Sequence, residues 1–222
     1  VIFGIVESIY AIREKRLLNF LKTTAYLLIP LILAVGSNCS NLWTKYEYGE
    51  YSMRGKSELE INKENQTSGL DKDYATRWSY GIDETLTLLI PNYAGGSSHG
   101  ELSEDSETYN ILKRNANVPT AKQFTENAPL YHGDQPFTEG PVYVGAIVLF
   151  FFVMGLYIIK GPVKWWIVAA TILSVMLAWG NNFMALTNFF MDHVPGYSKF
   201  RTVSMTLVIA EFTIPLLAVL GI

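Results

Sequence analysis

Charge in this sequence is concentrated in one block. Residues Ser37–Glu139, 103 positions, carry 9 Lys/Arg and 16 Asp/Glu, a net charge of −7. The other 119 positions carry 8 Lys/Arg and 4 Asp/Glu, a net of +4. A soluble fold rarely separates its charge in this way, whereas a membrane protein with one large aqueous loop must. Whole-chain averages hide the partition: 50% of the residues are hydrophobic, 17% are charged, and there is one cysteine. They still exclude a disordered chain, a disulfide scaffold and a basic nucleic-acid binder.

A helix needs about 20 mostly apolar residues to cross a bilayer. Four segments come near this: Leu17–Gly36, Val142–Ile159, the shorter Trp165–Trp179 bracketed by tryptophans, and Val203–Ile222. Each alone also suits a buried helix of a large soluble core, but four together with the charge partition favour the membrane. Val1–Tyr10 reads as the tail of an earlier span. The chain starts without Met inside one apolar run and stops inside another, so it reads as an internal part of a longer protein. The expected organisation is a preceding helix and turn (1–16), a span (17–36), an insert (37–139), and three spans (140–222) with an outer loop at 181–202.

Lys and Arg set the orientation. Arg13, Lys15, Arg16 and Lys22 crowd the start of the first span, and Lys160 and Lys164 sit between the second and third. Both clusters are expected in the cytoplasm, so the insert and the 181–202 loop face outward. Lys199 and Arg201 break the pattern. A signal peptide over Lys15–Cys39 is disfavoured, because Gly36-Ser37-Asn38 is a poor processing site and residues precede the basic cluster. Cys39 is expected as a free thiol near the membrane surface.

The expected fold class is a membrane all-α bundle of about four helices with a mixed α/β insert. Tyr46–Ile61 alternates weakly and is rich in aromatics, which predicts one or two strands, and Tyr74–Ser79 reads as extended. Ile82–Pro91 predicts a short helix with Asp83 and Glu84 in its first turn and Pro91 as its stop. Its Leu86, Leu88, Leu89 and Ile90 suit either the membrane surface or a core of the insert. Gly95-Gly96 reads as a turn. Ser103–Asn117 and Thr120–Asn127 are expected to be helical.

Three runs carry a resemblance. They are Trp78-Ser-Tyr-Gly-Ile-Asp-Glu-Thr-Leu-Thr-Leu-Leu-Ile-Pro-Asn-Tyr-Ala-Gly-Gly96, Tyr131-His-Gly-Asp-Gln-Pro-Phe-Thr-Glu-Gly-Pro-Val-Tyr-Val-Gly145 and Val194-Pro-Gly-Tyr-Ser-Lys-Phe-Arg-Thr-Val-Ser204. Together they resemble the YfhO-like family of bacterial multi-pass membrane proteins, with the character of its Bacteroidetes members. The resemblance covers nearly the whole chain. It departs at His132, where the family pattern expects Trp. It implies a relative of the membrane glycosyltransferases that use polyprenyl-phosphate sugars. The implied function is sugar transfer to an envelope polymer or glycolipid at the outer face of the bacterial inner membrane. Its implied partners are the bilayer, the lipid-linked sugar and that acceptor. In such enzymes the catalytic acid usually lies in the first outer loop, and this chain is expected to start after that loop, so no catalytic residue is assigned.

Several residues are candidates for chemistry. Asp134, Gln135, Thr138 and Glu139 sit just above the second span, where the carboxylates suit a sugar acceptor or a divalent cation, or simply a rigid turn. Asp83 and Glu84 point about 100° apart on a helix, so one can face a site while the other caps. Asn92 belongs to the first family-like run and joins the substrate-binding candidates. Lys199 and Arg201 suit a lipid phosphate, or plain headgroup contact. Glu211 lies within an apolar span, where an acid implies function or a buried partner. Asn181-Asn182 and Asp192-His193 suit sugar contacts or a capped turn. His99, His132 and His193 lack metal-ligand spacing. The alternatives to a transferase are a transporter or flippase of lipid-linked intermediates, motivated by Glu211 and Pro215, and a non-catalytic envelope scaffold.

Overall fold

The computed structural model describes residues 1–49, 51–52, 55, 67, 69–140 and 142–222. The described chain is helical. Helices α1 (Ile2–Arg13) and α2 (Leu17–Ser37) are followed by α3 (Cys39–Gly49) and the single turn α4 (Lys72–Ala75). The insert continues through a 3-10 turn (Asp83–Leu88), α5 (Glu107–Asn115) and α6 (Val118–Thr125). Helices α7 (Ala146–Ile158), α8 (Pro162–Ala178), α9 (Met184–His193) and α10 (Val208–Leu220) complete the fold, with a 3-10 turn over Val203–Leu207 leading into α10.

Among the described residues two helices are long and apolar enough to cross a membrane: α2, and the continuous Val203–Leu220 segment. A third span arises if α8 and Gly180–His193 are taken as one element bent by 110°. The protein is therefore a membrane protein, but the expected bundle of four spans is not what forms. Helix α7 has only 13 residues, because Val142–Val144 is not helical and Gly145 (φ +104°) starts the helix late. At about 1.5 Å per residue it reaches roughly 20 Å, short of the hydrocarbon core. The α8–α9 bend is set at Gly180 (φ +44°), where a Cβ would lie 2.3 Å from Val203 and 2.4 Å from the Ser79 hydroxyl. Only glycine lets the chain turn there.

The membrane helices pack through small and hydroxylated residues. Gly155 of α7 faces α10 so closely that a Cβ would sit 2.8 Å from the Leu217 carbonyl. Between α8 and α10, the Thr171 and Thr213 hydroxyls are 2.7 Å apart. The Ser174 hydroxyl donates to the Thr206 carbonyl (2.7 Å) and accepts from the Ala210 amide (3.1 Å). Such bonds replace the hydrophobic drive that lipid cannot supply between helices. Lys164 donates to the Leu156 carbonyl (2.9 Å) in the last turn of α7, closing the short turn through Gly161 and Pro162. Helix α2 makes no comparable packing, and none of its residues is buried.

The mixed α/β insert is corrected: no strand forms among the described residues. Tyr46–Gly49 belongs to helix α3, and the rest of the expected Tyr46–Ile61 strand region lies mainly outside the described residues. Tyr74 and Ala75 fall in the α4 turn, capped by the Asp71 carboxylate. Among the described residues the only extended pairings are single bridges, Gly95 with Tyr131 and Gly100 with Ala128. Backbone groups of the insert are satisfied instead by turns, and by bonds to the membrane helices. The Tyr80 amide donates to the Ala178 carbonyl (2.8 Å), Leu70 to Ser198 (2.8 Å), Thr202 to Ala75 (3.0 Å) and Ser204 to Trp78 (3.1 Å). These bonds seat the insert on the ends of α8 and the Val203–Leu220 segment. Helices α5 and α6 form where expected, with Ser106 and Asn117 as side-chain N-caps.

Candidate functional site

Where the insert meets the span, a cavity of about 320 Å³ opens. Its walls come from Tyr80 and Glu84, from the Tyr131–Thr138 turn, and from Ser204, Leu207 and Glu211 on the span. The short 3-10 turn Asp83–Leu88 aims Glu84 inward and leaves Asp83 exposed, as adjacent helical residues must diverge. Glu84 is 4% exposed, an unusual state for a carboxylate unless it is well partnered. Its partners are the Gly81 amide (3.0 Å), the Tyr131 hydroxyl (2.6 Å) and the Gln135 side-chain amide (3.4 Å), all donating to it. The Tyr131 hydroxyl in turn accepts from the Gln135 amide (3.0 Å).

Gly133 makes this arrangement possible. A Cβ there would lie 2.2 Å from the Tyr131 hydroxyl and 2.6 Å from the Glu84 carboxyl carbon. Burial and the hydrogen bond to Glu84 push the Tyr131 phenol well above its ordinary range. Tyr80 is 2% exposed, and its hydroxyl has no hydrogen-bond partner among the described residues. Burial first, then the charge of Glu84 with a lesser contribution from Glu211, pushes the Tyr80 phenol up to about 12. The neighbouring Thr87 hydroxyl opposes that rise, although among the described residues neither hydroxyl makes a hydrogen bond of good geometry.

Glu211 is the fourth residue of α10, within the continuous Val203–Leu220 segment, and its side chain is exposed rather than sequestered. It also lines a second cavity of about 470 Å³ with Val142, Tyr143, Val144 and Pro215. The two cavities share Val142 and Glu211, and the first is the more apolar of the two.

On the other side of the Tyr131–Thr138 turn lies a separate cleft of about 520 Å³. Asp134 faces this cleft, not the cavity, and accepts from the Asn182 side-chain amide (3.0 Å), which also donates to the Tyr80 carbonyl (3.0 Å). Arg77 lines the same cleft and stands 5.6 Å from the Trp78 ring. Arg201 stands 5.9 Å from that ring and donates to the Tyr74 hydroxyl (2.9 Å). Trp78 itself meets Phe137 edge-on at 5.1 Å and donates to its carbonyl (3.3 Å).

Of the residues picked from the sequence, the structure brings together Glu84, Gln135, Thr138 and Glu211. Asp134 and Arg201 fall on the neighbouring cleft and its rim, and Lys199 lies in the short 3-10 turn Tyr197–Lys199. Asp83, Asn92 and Glu139 are exposed and line neither cavity nor cleft. Asn92 holds a turn in the left-handed region (φ +57°). Tyr80, Tyr131, Gly133 and Arg77 are additions from the structure. The signal for Tyr131 and Gly133 lay in the Tyr131–Gln135 run itself, whose aromatic, glycine and amide fold onto one carboxylate. Among the described residues, no group of three or more His, Cys, Asp or Glu side chains is placed to hold a metal ion. Comparison with protein-family models, with curated proteins and with solved structures returns no match.

Proposed function

We propose that the chain forms part of a membrane glycosyltransferase that takes a sugar from a polyprenyl-phosphate donor and passes it to an envelope acceptor. In this reading the insert faces outward from the bacterial inner membrane. One observation carries it: a largely apolar cavity with Glu84 and Glu211 in its wall lies between the insert and a membrane span, and it shares Val142 and Glu211 with a second cavity beside Pro215. That form suits an amphiphile with a hydroxylated head and a long hydrocarbon tail. Glu84, Gln135 and Glu211 are the groups that would take hydrogen bonds from sugar hydroxyls. Arg201 and Lys199 remain the cations for a lipid phosphate, now with Arg77 beside Trp78. The choice of a sugar, and of a transfer reaction, rests on the resemblance to YfhO-like proteins.

The test is to give the full-length protein, purified into lipid, a panel of prenyl-phosphate sugars. Binding and consumption of at least one donor is expected, with turnover reduced in Glu211→Gln. A protein that neither binds nor consumes any donor would overturn the reading.

A transporter of lipid-linked intermediates is the second reading. The 3-10 break at Val203–Leu207 and the 110° bend between α8 and α9 favour it, since transporters set broken helices around a site. Flux across vesicles that is unchanged in Glu211→Gln would count against it.

A further inference from the structure

The cleft beyond the Tyr131–Thr138 turn differs in kind from the cavity: every residue lining its space of about 520 Å³ is polar. Its floor is buried and already satisfied. The Thr76 hydroxyl donates to the Lys72 carbonyl (2.8 Å). The Ser79 hydroxyl donates to the Thr76 carbonyl (2.5 Å) and accepts from the Asn181 backbone amide (2.7 Å). The walls, in contrast, keep hydrogen-bonding capacity in hand. The Asn182 side-chain amide donates to Tyr80 and Asp134, which leaves its carbonyl oxygen and one Asp134 oxygen open. The Asn181 carboxamide and the Arg77 guanidinium make no hydrogen bond or ion pair among the described residues.

These groups stand on a fixed base. Asn181 and Asn182 directly follow Gly180, whose left-handed backbone and close approach to Ser79 set the path of the chain. Asp134 is tied to Asn182 across the cleft. The lining also selects among ligands. Hydrocarbon meets no apolar wall, an anion meets two carboxylates, Asp73 and Asp134, and a bare cation meets Arg77. A sugar hydroxyl both donates and accepts, and neighbouring ring hydroxyls match the paired atoms of a carboxamide, a carboxylate or a guanidinium. The volume is in the usual range for a small-molecule site.

We infer that the cleft binds a saccharide, the acceptor of the transfer. Asn181 and Arg77 donate to its hydroxyls, and Asp134 and the Asn182 carbonyl oxygen accept from them. Asp134 faces the cleft while Gln135, the next residue, lines the cavity, so a single turn separates the two ligands. The acceptor role rests on the transferase reading above, whereas saccharide binding stands without it.

The experiment uses the full-length protein in lipid nanodiscs. Saturation-transfer NMR reads the binding of gluco-, galacto-, manno- and rhamno-trisaccharides at millimolar concentration, and consumption of prenyl-phosphate sugars is followed in the same samples. At least one trisaccharide is expected to bind, and inorganic phosphate should not displace it. Affinity should fall about fivefold in Asn181→Ala, and tenfold or more when Asp134→Asn is added. Both side chains are exposed, so thermal unfolding should hardly change. Glu211→Gln, which alters the cavity, should bind the trisaccharide as before. Absence of trisaccharide binding, displacement by phosphate, or affinity unchanged in the double variant overturns the inference, and donor consumption then judges the transferase reading separately. A trisaccharide bound at the cleft while no donor is bound or consumed keeps the saccharide site and removes its acceptor role.

Discussion

The Tyr131–Thr138 turn separates two regions of opposite character. On one side Glu84 and Glu211 face a cavity walled by tyrosines, with no cation among its described lining residues. On the other side two guanidiniums, Arg77 and Arg201, flank one tryptophan, and Asp134 is held by Asn182. The acids of the cavity belong to different elements, one to the insert and one to the span. The cations belong to the insert's base and to the loop before the span. The insert therefore does more than cap the helices: by docking through backbone bonds at Tyr80, Thr202 and Ser204, it sorts charge into two adjacent compartments. One suits a polar head, and the rim of the other suits an anion at the membrane surface.

The comparison breaks most completely at Gly133. A methyl group there would collide with both Tyr131 and Glu84, so Gly133→Ala should cost about 1–3 kcal/mol of stability and abolish ligand binding in the cavity. Thermal unfolding in detergent, followed by a binding assay, checks both effects. Tyr131→Phe is milder. It removes one of the three donors to Glu84 and should cost about 1 kcal/mol, while anionic-lipid binding at the cationic side stays unchanged.

The cationic side is tested by Arg77→Ala combined with Arg201→Ala. Both side chains are exposed, so folding should be nearly unaffected. Affinity for phosphatidylglycerol vesicles should drop by roughly 1 kcal/mol per residue at most, more at low salt, with the cavity ligand bound as before. Vesicle sedimentation at two ionic strengths reads this.

The smallest expected effect is that of Tyr80→Phe on the unliganded protein. Removing an unpartnered hydroxyl should leave stability near neutral pH almost unchanged. Alkaline behaviour differs. Folding raises the Tyr80 phenol from 10 to about 12, so the folded state holds its proton more tightly than the unfolded chain. Stability therefore falls as pH rises from about 10 through 12, and that slope should be shallower in Tyr80→Phe. Denaturation curves at pH 9 and near pH 11.5 measure the difference.

Much of this was legible in the sequence, for identifiable reasons. The charge partition and the long apolar runs located the two helices long and apolar enough to cross a membrane, Leu17–Ser37 and Val203–Leu220, because lipid imposes composition directly. It did not reveal that Gly145 would delay α7, or that Gly180 would fold α8 back on itself, since both depend on local backbone geometry. Helices α5 and α6 form over most of the two solvated stretches expected to be helical, Ser103–Asn117 and Thr120–Asn127, and their Ser106 and Asn117 caps were seen only in the structure. Tyr46–Gly49 misled because its alternation was weak and its aromatics suit a helix face equally well. Among the site residues, Glu84, Gln135 and Glu211 were marked by being acids or amides in unusual places. That Glu84 and Glu211, 127 positions apart, share a wall is tertiary information, as is the place of Asp134 on the opposite side from Gln135. Tyr80 carried no signal of its own, because a tyrosine's role depends on what its hydroxyl meets, and Tyr131 was marked only through the run it begins.

The most direct test places a photoreactive group on the sugar of a prenyl-phosphate ligand and maps the crosslinks in the full-length protein. Labelling of Tyr131–Thr138 and Ser204–Glu211 peptides, lost in Gly133→Ala, is the expected result. Labelling confined to the cleft around Asp73, Arg77 and Asn182, or labelling unchanged by Gly133→Ala, would contradict the assignment of the acidic cavity as the ligand site.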